Sequence, residues 1–213
     1  MREQVIKKIE QNKIIAIVRG LNIEQAVSVA KAINQGGIKL IEVTFNQKNP
    51  SSFNDTVMAI TQIKQDCPEM CVGAGTVLTI EQVELAKSAG AEYIVSPDTD
   101  EEVIKRTVEL DMVSIPGAYT PSEAKKAHNA GADFVKLFPC SSVASLKAIK
   151  APMSHIKFLA FGGVSAHNAK EFIKAGAVGV GVGGSLVNTK YLENNEYEKI
   201  TQLAKELVEV VSE

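Results

Sequence analysis

The sequence predicts an α/β protein that forms a single (β/α)8 TIM barrel with an extra N-terminal helix. Three observations lead to this fold class. Eight short apolar segments recur along the 213 residues, segments with helical periodicity lie between them, and glycine repeatedly ends a helical segment just before the next apolar one. A repeat of roughly 20 to 25 residues is typical of consecutive βα units. Eight such units indicate a closed barrel rather than an open sheet.

The eight apolar segments are rich in β-branched residues and show little polar alternation. This pattern is typical of parallel strands that are covered on both faces, because a half-exposed strand alternates apolar and polar residues. The predicted strands are residues 14–18, 38–44, 70–74, 92–96, 112–116, 133–138, 156–161 and 178–182.

The intervening segments carry the residues that begin and end helices. Residues 22–37, 79–90, 120–131 and 165–176 open with Asn, Thr or Ser and close with Gly, as N-caps and C-terminal glycines do. Residues 1–12 and about 195–212 are amphipathic, and we expect them to cap or complete the outer ring of helices. An open doubly wound sheet is the alternative, but IVRGLN follows the first strand in place of the fingerprint G-x-G-x-x-G.

Composition narrows the classes of partner. A net charge of -2, from 23 basic and 25 acidic residues, predicts no binding to nucleic acid or to an anionic membrane.

The absence of a linker-like stretch within residues 1–213 predicts a single domain. The charged N-terminus lacks an apolar signal segment, and no stretch is long enough to span a membrane, so we expect a cytoplasmic protein. The three cysteines and three histidines lack metal-ligand spacing, which indicates neither a disulfide nor a zinc site.

Lys136 is the most informative candidate, because it interrupts an otherwise apolar strand in DFVKLFP. Burial disfavours an ammonium group and should lower the pKa of this lysine. A lysine that is partly neutral is a nucleophile toward ketones, and the iminium that it forms serves as an electron sink. A lysine that extends to solvent from an edge strand is the structural alternative.

Three more polar residues lie at predicted strand ends, where the active sites of such barrels are found. Glu42 is a lone carboxylate in the second strand, suited to proton transfer or to an ion pair with Lys136 or Arg19. Arg19 ends the first strand and is suited to a carboxylate or phosphate, although a solvated loop arginine explains it equally well. Thr76 follows a G-A-G turn, where its hydroxyl can donate to a ligand carboxylate.

Two glycine-rich turns follow the seventh and eighth predicted strands. In barrels of this kind, the backbone N–H groups of these turns and a helix N-terminus bind phosphate. We expect a short helix over SLVN, residues 185–188, after the second turn. The turns contain Gly162, Gly163, Gly181, Gly183, Gly184 and Ser185.

Seven motifs together resemble the family of 2-keto-3-deoxy-6-phosphogluconate (KDPG) and 4-hydroxy-2-oxoglutarate (KHG) aldolases, with the related phosphogalactonate aldolase. The similarity spans nearly the whole chain. The motifs are A-I-V-R-G at 16–20, E-V-T at 42–44, G-A-G-T-V at 73–77, S-P at 96–97, I-P-G at 115–117, K-L-F-P at 136–139 and G-V-G-G-S at 181–185.

The resemblance implies a metal-independent barrel without an organic cofactor that usually assembles as a homotrimer. It implies that Lys136 forms an imine with a 2-oxo acid and that Glu42 moves protons, releasing pyruvate and either glyceraldehyde 3-phosphate or glyoxylate. It further implies that Thr76 and an arginine hold the carboxylate, that Pro97 and Phe138 shape the pocket, and that the loops with Gly162, Gly163, Gly183, Gly184 and Ser185 hold phosphate.

The sequence departs from the family pattern in three places. Asn46 stands where many members carry an arginine, so we expect Arg19 to bind the substrate carboxylate instead. Phe161 replaces a usual threonine close to where the substrate tail should lie, and residues 140–145 lack the usual glycines, so we expect the preference for the aldehyde part of the substrate to differ. A phosphate-binding isomerase and a sugar-acid-binding barrel without catalysis are the competing functions, and neither needs Lys136 as a nucleophile.

Overall fold

The computed structural model describes residues 1–212 and contains a nearly closed barrel of parallel strands with helices between them. This architecture confirms the predicted fold class and excludes the open doubly wound sheet. The strands pair in the order β5-β4-β3-β2-β1-β9-β8-β7-β6. They are β1 Ile14–Val18, β2 Leu40–Thr44, β3 Cys71–Gly75, β4 Tyr93–Val95, β5 Val113–Ile115, β6 Gly117–Ala118, β7 Val135–Leu137, β8 Phe158–Phe161 and β9 Gly179–Val182.

Eight of the nine strands correspond to the eight predicted ones, and β6 is an addition, because it begins just beyond Pro116, where the fifth strand was predicted to end. Proline has no backbone N–H to donate to a neighbouring strand. β5 pairs with β4, and β6 pairs with β7. Lys136 N still donates to Pro116 O over 2.9 Å, and Phe134 N donates to Ser114 O over 3.3 Å. The segment 113–118 therefore joins the two edges and closes the barrel.

Helices follow the strands as predicted. Within residues 1–212, none of them is long and apolar enough to cross a membrane. The α-helices are α1 Arg2–Asn12, α2 Ile23–Gln35, α3 Phe53–Asp66, α4 Ile80–Ser88, α5 Glu101–Glu109, α6 Pro121–Asn129, α7 Val143–Lys150, α8 Ala169–Lys174, α9 Thr189–Glu193 and α10 Tyr197–Ser212.

Most of the predicted helix boundaries are confirmed. The side chains of Asn22, Thr79 and Thr120 each accept a backbone N–H at the start of a helix. Glycines with positive φ follow α2, α4, α6 and α8, as expected for residues that end a helix in the left-handed conformation.

Two boundaries were predicted wrongly. Ser165 does not begin α8, which starts at Ala169, because the Asn168 side chain accepts from Ser165 N and closes a turn first. Residues 185–188 form a turn rather than a helix: Leu186 N and Val187 N both donate to Gly183 O, and α9 begins only after Asn188 caps it.

The two terminal helices complete the barrel as expected. Val5 and Ile9 of α1 are buried against the interior side chains of the strands, so α1 closes the N-terminal end. Arg2 Nη2 lies 2.9 Å from Asp133 Oδ1, and this ion pair holds α1 next to the residues that precede β7. α10 packs against α2 so closely that a Cβ on Gly36 would overlap with Ala204.

Glycines within the strands make room for aromatic rings inside the barrel. Alternate residues of a strand face the same side, and the inward set includes Tyr93 and Phe161, both fully buried. The ring of Tyr93 occupies the space where Gly73 would carry a Cβ, and the ring of Phe161 does the same at Gly181.

The Gly73→Ala substitution is expected to lower the free energy of unfolding by about 1–3 kcal/mol, because overpacking a filled core forces side chains off their rotamers. Urea unfolding monitored by circular dichroism measures the change. Gly184→Ala is the matched control, since a Cβ there meets no atom within 4 Å. Equal stability of both variants would contradict the tight fit at Tyr93.

Candidate active site

All of the predicted site residues line one cavity of about 580 Å³ at the carboxyl ends of the strands. The cavity is also lined by Ile17, Val164 and Ser165, which were not predicted, by Gly181, which was predicted in the second glycine-rich turn, and by Phe161, which was noted as a departure from the family pattern. The predicted residues that it brings together are Arg19, Glu42, Thr76, Pro97, Lys136, Phe138, Gly162, Gly163, Gly183, Gly184 and Ser185.

Lys136 reaches this cavity because of its position in the strand alternation of β7. Val135 and Leu137 pack outward against the helices, whereas Lys136 faces inward and is only 6% exposed. Its Nζ lies 4.7 Å from the centroids of both the Phe138 and the Phe161 rings. Burial lowers the pKa of Lys136, an effect that the Glu42 charge opposes and the Arg19 charge reinforces.

Glu42 faces the same cavity from β2. Burial raises the pKa of its carboxyl, whereas the charges of Lys136 and Arg19 lower it. Its Oε2 is buried without a hydrogen-bond partner, and among residues 1–212 no ion pair joins Glu42 to Lys136. Gly75 allows the carboxylate to lie against the backbone, since a Cβ there would stand 2.9 Å from Oε1. A buried carboxylate oxygen without a partner is costly, and such groups are typical of functional sites.

Arg19 and Thr76 form a second polar group at the mouth of the cavity. Arg19 is exposed after β1, and its Nη2 donates to Thr76 Oγ1 over 3.2 Å. Because Oγ1 accepts this bond, the hydroxyl proton of Thr76 remains free to donate to a ligand. Thr76 has a φ of 55°, an unusual conformation for a β-branched residue.

The two glycine-rich turns meet at the opposite wall. Ser185 Oγ donates to Val164 O over 2.7 Å and thereby joins the turn after β9 to the turn after β8. Within the part of the chain that the structure describes, the backbone N–H groups of Gly163, Val164, Gly184 and Ser185 donate to no protein atom. N–H groups that lack a protein acceptor and belong to residues lining one cavity can bind an anion.

The residues that sequence reasoning missed have different signals. Ile17 could have been found from the inward alternation of β1, whereas Val164 and Ser165 lie in a turn with no such period. Across residues 1–212, no group of three or more histidine, cysteine, aspartate or glutamate residues could hold a metal ion.

A barrel that holds a lysine with lowered pKa and a carboxylate with raised pKa in one cavity has the groups of a Schiff-base aldolase, which is a carbon–carbon lyase. The family model for KDPG and KHG aldolase matches residues 5–203. The chain therefore belongs to the KDPG and KHG aldolase family, as the sequence motifs predicted.

Individual relatives support the same conclusion. The KHG/KDPG aldolase of Escherichia coli (strain K12) is 35% identical over 200 residues, which cover 92% of this chain and 91% of the relative. The 2-dehydro-3-deoxy-6-phosphogalactonate aldolase of the same organism is 34% identical over 203 residues, which cover 94% and 95%.

A similar solved structure contains a reaction intermediate. It is the KDPG aldolase of Legionella pneumophila with pyruvate captured at low pH as a covalent carbinolamine, which has a TM-score of 0.83 and 26% identity and covers 97% of this chain and 98% of that one. The prediction of a Schiff-base aldolase is confirmed at the level of the enzyme class.

Proposed function

We propose that this enzyme cleaves KDPG, KHG or both to pyruvate and either glyceraldehyde 3-phosphate or glyoxylate. The observation that carries the proposal is the position of Lys136, buried between two aromatic rings and facing Glu42 across the cavity. The name of the Escherichia coli KHG/KDPG aldolase supports these substrates. The phosphogalactonate aldolase at 34% identity supports the C4 epimer as the second candidate substrate.

Lys136 and Glu42 supply the bond-making steps of this reaction. The neutral amine of Lys136 attacks C2 of the 2-oxo acid and forms a carbinolamine, which loses water to give an iminium. Glu42 accepts the proton of the C4 hydroxyl as the C3–C4 bond breaks, and the electron pair of that bond moves into the iminium to form an enamine. The aldehyde leaves, the proton on Glu42 passes to C3 of the enamine, and water hydrolyses the resulting iminium to release pyruvate and regenerate the amine.

Arg19 and Thr76 are proposed to hold the carboxylate of the 2-oxo acid. The guanidinium has five N–H donors, so its hydrogen bond to Thr76 leaves other N–H groups of Arg19 for the ligand. Asn46, which stands where many family members carry an arginine, does not line the cavity. Arg19 does line the cavity, which supports a carboxylate-binding arginine at the end of the first strand.

The glycine turns are proposed to hold the far end of the substrate. The free N–H groups of Gly163, Val164, Gly184 and Ser185 suit a phosphate, which presents several acceptor oxygens at once. Pro97 and the half-exposed Phe138 line the same cavity as these turns and Lys136. The Phe161 ring in the cavity offers the substrate an apolar surface in place of a hydroxyl.

A matched pair of substrates tests the phosphate corner. We expect kcat/KM for KDPG to exceed that for the same acid without its phosphate by at least about tenfold, since charge-assisted hydrogen bonds each stabilise by roughly 1.5–3 kcal/mol. Coupled detection of pyruvate measures both, together with the phosphogalactonate epimer and 4-hydroxy-2-oxoglutarate. Equal values for the matched pair would show that the corner does not bind phosphate.

We propose further that residues 1–213 act as one domain, in the cytoplasm, as a homotrimer that binds only its small-molecule substrate. The exposed apolar side chains of Met58, Ile80 and Tyr119 are available for contacts between subunits. The iminium is itself the electron sink, so the proposed steps use no metal and no organic cofactor. Light scattering of the purified protein tests the trimer, which requires three times the chain mass of 22.9 kDa.

A further inference from the structure

Two glutamine side chains connect the site loop that carries Thr76 to helix α4. Gln47 follows β2 and is exposed, whereas Gln82 lies in α4 and is 1% exposed. Gln47 Nε2 donates to Thr76 O over 2.6 Å, and Gln82 Nε2 donates to Gln47 Oε1 over 2.9 Å. Gln82 Oε1 accepts from Leu78 N over 2.7 Å.

These three hydrogen bonds form one chain that begins at Leu78 and ends at Thr76, so both of its ends lie in the loop 76–78. The chain runs from the Leu78 N–H through Gln82 and Gln47 to the Thr76 carbonyl, so every amide group in it both donates and accepts. A hydrogen-bonded network holds a fixed geometry when all of its members are satisfied, and the Gln82 end of this one is buried. The two glutamines therefore hold the loop 76–78 at both of its ends.

The loop needs this support because Thr76 has a φ of 55°. A β-branched residue in the left-handed region is strained, and such strain persists only where the surroundings determine the conformation. In this conformation the Thr76 hydroxyl reaches Arg19 Nη2 and lines the cavity. A relaxed backbone would turn the hydroxyl away from that position.

We infer that Gln47 and Gln82 are positioning residues that hold Thr76 ready to bind the substrate carboxylate. The inference rests on the proposed function of Thr76. Neither glutamine lines the cavity of Lys136, so both act through the backbone of Thr76. Their loss should weaken binding of the 2-oxo acid and leave the chemistry at Lys136 unchanged.

The Gln47→Met substitution tests this inference, because methionine is of similar length and cannot form the two hydrogen bonds that the Gln47 side-chain amide makes. Borohydride trapping of pyruvate is measured against pyruvate concentration. We expect the half-saturating concentration to rise about tenfold, while the trapping rate at saturating pyruvate stays within twofold. Gln62→Met is the control, since Gln62 is an exposed glutamine on the outer helix α3 whose side chain donates to Asp66 of the same helix.

A second background separates positioning from general disturbance. Thr76→Gly removes the hydroxyl and takes up a positive φ without strain, so Gln47 has nothing to position in that variant. We expect Gln47→Met to change half-saturation less than twofold when it is added to Thr76→Gly. Such non-additivity is the mark of two residues that act together.

The possible failures are distinguishable. An equal effect of Gln47→Met in both backgrounds, or no effect in either, overturns the inference while Lys136 still forms its adduct. Absence of any pyruvate adduct on the wild-type protein overturns the proposed function and the inference together.

Discussion

Lys136→Met is expected to abolish the covalent adduct that pyruvate and borohydride form with the wild-type protein. Lys136 is the buried lysine of the cavity, and its lowered pKa increases the fraction of the amine that is neutral and nucleophilic. Methionine fills the space between Phe138 and Phe161 without an amine. Mass spectrometry of the digested protein shows the adduct, which should map to Lys136 in the wild type.

Lys157→Met is the matched control for this loss. Lys157 also lies near an aromatic ring, with its Nζ 5.7 Å from the Phe134 centroid, but it is exposed just before β8 and pairs with Glu10. This variant should keep the adduct and turnover. A wild-type protein without an adduct would favour the phosphate-binding isomerase and the non-catalytic barrel, since neither of them requires an imine.

The pH dependence of trapping follows from the direction of the shift. Because burial lowers the pKa of Lys136 below its ordinary value of 10.5, the neutral amine forms at lower pH than in an exposed lysine. The trapping rate should rise with pH and reach half of its maximum below 10.5. A midpoint at or above that value would show that the folded protein does not desolvate the amine.

The strands and the main site residues could be predicted because they depend on local pattern. A lysine in an apolar strand and a carboxylate in another are visible in the sequence, and the closed barrel brings the carboxyl ends of all strands together. The extra strand β6 after Pro116 was not predicted, because it depends on pairing with β7 and on hydrogen bonds from Phe134 and Lys136, which are distant from it in sequence.

The remaining features depend on contacts that no local pattern carries. Phe161 was noted as a departure, but its contact with Lys136 requires Gly181 on the neighbouring strand to leave room for the ring. The left-handed Thr76 is set by Gln47 and Gln82, which are distant in sequence from one another and are joined only in the folded chain.

Glu42→Gln is expected to lower kcat for the cleavage reaction by roughly 10²–10⁴-fold, which is the usual contribution of a positioned general acid or base. Glutamine keeps the shape of the side chain but cannot take the C4 proton. The lysine remains nucleophilic, because the Glu42 charge raises the pKa of Lys136 and its removal lowers that pKa further. The variant should therefore still form a pyruvate adduct while cleavage is nearly lost.

Stability separates this catalytic role from a structural one. The Glu42 Oε2 atom is buried without a partner, and burial raises the pKa of the group because the charged form is disfavoured. Removing that charge should leave the free energy of unfolding unchanged or raise it, as is common where activity requires a strained group. If Glu42→Gln instead unfolded more easily in urea and kept its kcat, Glu42 would be a structural partner of Lys136 and Arg19, and the proton would have to leave by another group.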